Sequence, residues 1–256
     1  MLVAFLYLLG GIPLQVLAGE PGLLASQLLF LALPAIVFCL SRGYDVRRTL
    51  SIERPSWRSV IGGTLVMAGG VVIAWFLAWV QSLWTPVPTE YMQAMVDFVT
   101  ADSVTRLLWL LLLVAAVPAI AEELVFRGVL LSGLRSRAPA WAAILLTGLV
   151  FGLFHLSPVT GFRVLPTAWL GILLAWVVVA SGSLPLAILL HFVNNAVIVV
   201  LASVPTTHAL VADPERVPSI TITLAGAILL LMGLRVLGRP NPRTIAQLPS
   251  DGWSRG

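Results

Sequence analysis

The sequence predicts an all-α, polytopic membrane protein of about eight transmembrane helices in one bundle. Three observations predict it. The 256 residues are 59% hydrophobic and only 10% charged, at a mean hydropathy of +1.01, whereas soluble domains carry about a quarter charged residues. Apolar runs close to the roughly 20 residues that cross the hydrocarbon core recur along the chain. Gly, Pro and small polar residues separate the runs, and the alternation of barrel strands is absent.

In order, the apolar runs are residues 2–17, 23–40, 61–83, 107–131 or a little beyond, 141–156, 165–180, 184–204 and 220–237. The first has no positive charge ahead of it and no clear small-residue cleavage site, so it reads as a span rather than a secretion signal. Residues 45–57, DVRRTLSIERPSW, mix arginines with Leu50, Ile52 and Trp57, which suits a short segment lying at the cytoplasmic interface. The polar, Pro/Gly-rich residues 239–256 read as a disordered or surface-lying extension. Cys39 is the only cysteine; it excludes an intramolecular disulfide and reads as a small buried apolar residue.

Arginine sets the orientation, since the chain contains no lysine. Arg42, Arg47, Arg48, Arg54 and Arg58 follow the second run, Arg135 and Arg137 the fourth, and Arg235, Arg239, Arg243 and Arg255 the eighth. The other side receives Arg106, Arg163 and Arg216 together with Glu20, Glu90, Asp97, Asp102, Asp213 and Glu215. The positive-inside rule then puts the amino terminus outside and the carboxyl terminus in the cytoplasm. The net charge of +4 is accounted for by juxtamembrane arginines that set topology and meet anionic lipid, so no nucleic-acid partner is expected.

Ionisable side chains at the centre of a spanning helix cost about 2.5–3.5 kcal/mol each on insertion scales, and those that persist usually face an interior cavity. Here they are Glu122, Glu123 and Arg127 in the fourth run and His155 in the fifth; His191, Asn194 and Asn195 add polar groups in the seventh. Glu123 and Arg127 are one helical turn apart and can pair, which is also their purely structural reading. Glu122 projects about 100° away from Glu123, free to meet another helix. His191 and Asn195 share a face; Asn194 points off it and reads as a helix-packing hydrogen bonder, and Phe151, one turn before His155, as packing. At 1.5 Å per residue, Glu122 lies about 20 Å from Arg135, His155 about 21 Å from Trp141 and His191 about 12 Å from Ser183. The three helices can therefore offer polar groups to one interior point, in the cytoplasmic half or near the midplane.

Several hydrolytic routes lack their residues. Neither His155 nor His191 begins an HExxH, no aspartate falls inside a span, and no GxSxG occurs. A carboxylate and two imidazoles remain. A carboxylate in an apolar cavity is a better base than an exposed one, so Glu122 could deprotonate a water that His155 orients. His191 and Asn195 could then donate hydrogen bonds to an oxyanion. Alternatively Glu122, His155 and His191 could bind a divalent metal such as zinc, with water in the open position.

The segments EELVFR at 122–127, FGLFH at 151–155 and HFVNN at 191–195 resemble the EExxxR, FxxxH and HxxxN motifs of the CPBP family, the CAAX prenyl protease and bacteriocin-processing intramembrane endopeptidases. The resemblance covers about residues 105–205. It implies Glu122 as general base supported by Glu123 and Arg127, His155 sharing the catalytic water, and His191 with Asn195 stabilising the oxyanion. It favours a metal-free reaction without cofactor, since Asn195 is a poor zinc ligand. Residues 1–104 would then carry the first three helices, 105–205 a catalytic core and 206–256 the last helix and a cytoplasmic tail. The Arg-only, Ala/Leu/Val-rich composition points to a bacterial inner membrane, and to a peptide or membrane-anchored protein as substrate. Two other classes place polar groups in membranes: a proton-coupled transporter, which would favour broken helices and inverted repeats, and a non-catalytic immunity or scaffold protein.

Overall fold

The computed structural model describes residues 5–157, 160–208 and 216–238, and the expected extension at 239–256 lies outside them. Nine helices follow among the described residues: α1 (Tyr7–Ser41), α2 (Val46–Thr49), α3 (Trp57–Ser82), α4 (Thr89–Val99), α5 (Val104–Arg135), α6 (Ala140–Phe154), α7 (Val164–Ser181), α8 (Leu184–Ser203) and α9 (Ile220–Leu237). No described residue is in a strand. Six helices are long and apolar enough to cross a membrane, and α6 is a shorter apolar helix.

The first two expected spans are the two arms of α1. Gly19, at φ 57° and ψ −131°, breaks the helix with a backbone that favours glycine. Gln15 donates to Ser26 Oγ at 2.8 Å across the turn, a contact that a straight helix would hold about 16 Å apart. The arms therefore run antiparallel, and with α6 the chain has eight apolar segments. Three wide, π-type stretches, at Tyr7–Gly11, Leu28–Ala32 and Leu111–Ala116, come just before Pro13, Pro34 and Pro118. A proline removes one i to i−4 bond and crowds the carbonyl four residues back, and a wider turn relieves both.

The two faces of the bundle are tied separately. At the arginine-rich face, Ser132 donates to Thr49 O at 2.8 Å, Ser183 Oγ to Glu53 O at 2.6 Å, Leu184 N to Ser51 O at 2.9 Å and Arg58 Nε to Val236 O at 2.6 Å. At the other, acidic face, Arg106 pairs with Glu20 at 2.7 Å, Ala101 N donates to Ser203 Oγ at 2.9 Å and Leu165 N donates to Gln81 Oε1 at 2.8 Å.

These ties correct two expectations. The segment around Leu50 does not simply lie on the interface: Leu50 is 1% exposed and packs in the main core with Leu131 and Leu184, held there by the carbonyls of Thr49, Ser51 and Glu53. The termini were expected on opposite sides. Residues 7–18 run toward Glu20 at the acidic face, so Tyr7 lies on the arginine-rich side of that turn, and α9 ends at the arginine-rich face as well. An even number of segments returns the chain to the face it started from.

The core gathers on α7, whose Leu174, Ala175, Val177, Val178 and Val179 are all at most 2% exposed. Cys39 is fully buried in the same cluster, as expected. Helix α6 crosses α7 where two glycines meet: a Cβ on Gly171 would stand 3.0 Å from Gly148 Cα. Gly171→Val is therefore expected to cost about 1–3 kcal/mol, the usual range for overpacking, read as a lower unfolding midpoint in detergent.

Candidate active site

Glu122 and Glu123 end the α-helical stretch Val117–Glu123 of α5, and Arg127 sits in the wide turn Leu124–Leu130 that follows. This fourth π-type stretch precedes no proline, and such turns recur at functional sites. Glu123 and Arg127 are fully buried and paired at 2.7 Å. The guanidinium also donates to Gly171 O at 3.0 Å and lies over the Phe151 ring, 4.4 Å from its centroid. The close glycine crossing of α6 and α7 brings both of those partners within its reach. Phe151, expected as packing, thus carries a cation–π contact as well.

His191 donates from Nδ1 to Glu123 Oε1 at 2.9 Å, because a carboxylate ionised beside Arg127 can only accept. His155 stands just past the end of α6, where its backbone leaves the helix at φ −91° and ψ 2°. Its Nδ1 donates to Phe151 O at 2.9 Å, and its own carbonyl accepts from Thr160 Oγ1 at 2.6 Å. Both rings thereby turn Nε2 toward the same atom: each Nε2 lies 3.9 Å from Glu122 Oε2. Glu122 and His191 are nearly buried, while the His155 side chain keeps 24% exposure and marks where the group opens.

Glu122, Glu123, Arg127, His155 and His191 therefore meet, although their distances from the helix ends differ; the helices neither start in one plane nor need run parallel. Asn195, one turn beyond His191, is engaged elsewhere. Its Nδ2 donates to Val114 O at 3.4 Å, and its Oδ1 accepts from Asn194 at 3.1 Å. Val114 precedes Pro118 by four residues, so the proline has no N–H to offer that carbonyl and Asn195 supplies a donor in its place.

Two imidazoles and a carboxylate are donors that zinc accepts, and rings held through Nδ1 are usual in zinc sites. Among the described residues, however, no group of three His, Cys, Asp or Glu side chains is arranged to hold a metal ion. The arrangement can also handle a water directly. With Nδ1–H given to Phe151 O, the His155 ring presents a lone pair at Nε2, so a water between it and Glu122 meets two acceptors and can lose a proton to the carboxylate.

Residues 104–197 match the family model described as type II CAAX prenyl endopeptidase, Rce1-like. Residues 104–197 thus resemble a CPBP-family protease domain. That match and the six long apolar helices support a multi-pass membrane protease that acts on a peptide or protein substrate. No curated protein and no solved structure matches the chain. The CPBP match covers α5, α6, α7 and most of α8, and leaves α1, α3 and α9 outside.

The surroundings of the site were not read from the sequence. Tyr7, Phe126, Phe151 and Phe154 form a chain of ring contacts at 4.9–5.3 Å that ends against His155 at 4.8 Å. Tyr7 belongs to the same buried cluster as Ala121, the residue before Glu122. The available signal was a tyrosine in the first apolar run with Gln15, Ser26 and Gln27 after it, and it became meaningful only once Gly19 was seen to fold the arms together.

Proposed function

We propose that this protein is a glutamate-type intramembrane endopeptidase. Glu122 takes a proton from a water that His155 orients through Nε2, and the hydroxide adds to the scissile carbonyl carbon. His191, doubly protonated and balanced at Nδ1 by Glu123, donates from Nε2 to the oxyanion. Asn195 keeps one amide hydrogen after serving Val114 O and is assigned to the same oxyanion. As the C–N bond breaks, the proton held on Glu122 passes to the leaving amine. Glu123 and Arg127 fix the ring and the helix around the reaction.

The single observation behind this reading is that both Nε2 atoms converge on Glu122 Oε2 at 3.9 Å. The arginine-rich face is assigned to the cytoplasm by the positive-inside rule. Glu122 is about 20 Å from that end of α5 and about 27 Å from the other, so cleavage is assigned to the cytoplasmic half, on a peptide or membrane-anchored protein in a bacterial inner membrane. The prenylated CAAX proteins of the Rce1-like enzymes set the chemical class, a short carboxyl-terminal piece removed at the membrane.

Comparative proteomics of membrane fractions from cells carrying the wild-type chain or Glu122→Gln tests this reading. Carboxyl-terminal fragments should appear only with the wild type; identical fragment sets would overturn it. With a peptide spanning the cleavage site so found, activity is expected to survive exhaustive chelation, with no zinc by elemental analysis. Loss on chelation and recovery on adding zinc would replace the glutamate route with a metal-bound water.

A further inference from the structure

The two imidazoles of the site are held in different ways. His191 lies inside α8 and is fixed by the buried Glu123, whereas His155 stands past the end of α6, where a helix leaves its last carbonyls without intrahelical donors. The His155 ring also has fewer walls, with its side chain 24% exposed against 8% for His191. Its placement therefore depends on what holds the backbone at residue 155. The His155 N–H donates to Gly152 O at 3.1 Å, and its carbonyl accepts from the Thr160 hydroxyl at 2.6 Å. That hydroxyl has one hydrogen and gives it to His155 O, so Ser157 Oγ donates to Thr160 Oγ1 at 2.7 Å. Thr160 O in turn accepts from Arg163 N at 2.9 Å, within the short turn Gly161–Arg163 that leads into α7.

This segment is gripped from α3. Gln81, one residue before the end of that helix, donates from Nε2 to Gly161 O at 2.5 Å and accepts from Leu165 N at Oε1, 2.8 Å away. One partner is a carbonyl and the other an N–H, so the amide is held one way round. Leu165 N is a first-turn donor of α7, a helix that no side chain of its own caps, and Gln81 supplies the missing acceptor. Between those two bonds Phe162 is buried and meets the Tyr91 ring of α4 edge-on at 6.2 Å. Helices α3 and α4 thus hold the stretch to which the His155 carbonyl is tied.

We propose that Gln81 is a positioning residue for His155: through Gly161 and Leu165 it fixes the segment carrying Thr160, and Thr160 fixes the backbone from which the His155 ring reaches the water. The clamp comes from α3, outside residues 104–197. This inference rests on His155 orienting the catalytic water.

The test uses the full-length protein in detergent, isotope-labelled on histidine, whose three histidines give separable ring signals assigned by their loss in His155→Ala and His191→Ala. Gln81→Leu removes both hydrogen bonds with little change in bulk. It is expected to shift the His155 signal and leave that of His191 in place. With a peptide spanning the cleavage site found by the membrane proteomics, it should lower kcat roughly 10- to 100-fold at unchanged KM, the scale for a displacement of about 1 Å at a reacting group. Gln81→Glu keeps the acceptor for Leu165 N, loses the donor to Gly161 O and should fall between. Thr160→Val should match Gln81→Leu in kcat, and Thr160→Ser, which restores the hydroxyl, should return the wild-type rate. An unmoved His155 signal in Gln81→Leu, a loss confined to KM, or equal rates in Thr160→Ser and Thr160→Val overturns the clamp. A shifted His155 signal at wild-type kcat supports the clamp and overturns the role given to His155.

Discussion

Glu122→Gln is expected to lower kcat about 10²- to 10⁴-fold, the range for a general base, while the protein stays folded. Glutamine matches the carboxylate in shape but cannot accept the water's proton or return one to the leaving amine. Stability should hold or rise, since the change removes a nearly buried charge that no described residue hydrogen-bonds. His155→Ala should lose activity too, for the separate reason that the water loses an acceptor. Peptide cleavage and a thermal melt in detergent, run on the same preparation, separate the two effects. A Glu122→Gln enzyme that keeps more than a tenth of the wild-type rate would remove the assigned role.

The second large effect is expected on the fold. Arg127 is completely buried, and Met in its place would delete the pair with Glu123, the bond to Gly171 O and the contact with the Phe151 face. Breaking a buried pair from one side costs about 3–5 kcal/mol, because the other charge is left in place without its partner. Arg127→Met should therefore unfold at much lower denaturant or temperature. Adding Glu123→Gln removes the orphaned charge and should recover part of the stability. Activity should stay low in the double variant, because the carboxylate that balances protonated His191 at Nδ1 is gone. A single variant as stable as the parent would mean that the pair contributes little to the fold.

The fold was legible in the sequence wherever a local rule applied. Run length gave the apolar segments in their order, and i, i+4 spacing gave the Glu123–Arg127 pair. The order of Glu122, His155 and His191 along the chain gave the partners of the candidate site. What escaped depended on contacts between distant residues. Nothing near residue 123 says that its second partner is His191, and nothing near Asn195 says that Pro118 leaves Val114 O in need of a donor. Run length separated the two arms of α1, and their even total already placed both ends of the chain on one face; what it did not encode is the backbone angle at Gly19 that folds one arm against the other. Tyr7 was passed over for a related reason: a single hydroxyl barely disturbs the hydropathy of an apolar run, and its importance depends on which helix the fold sets beside it.

Helix α6 has 15 residues and stops at His155. At 1.5 Å per residue it is about 22 Å long, some 8 Å less than a typical hydrocarbon thickness of about 30 Å. Lipid beside it must pinch inward or tolerate polar backbone at the depth of its tails. Longer acyl chains would deepen that mismatch and shorter ones relieve it, so the membrane's own thickness becomes a control on how readily the His155 ring is wetted.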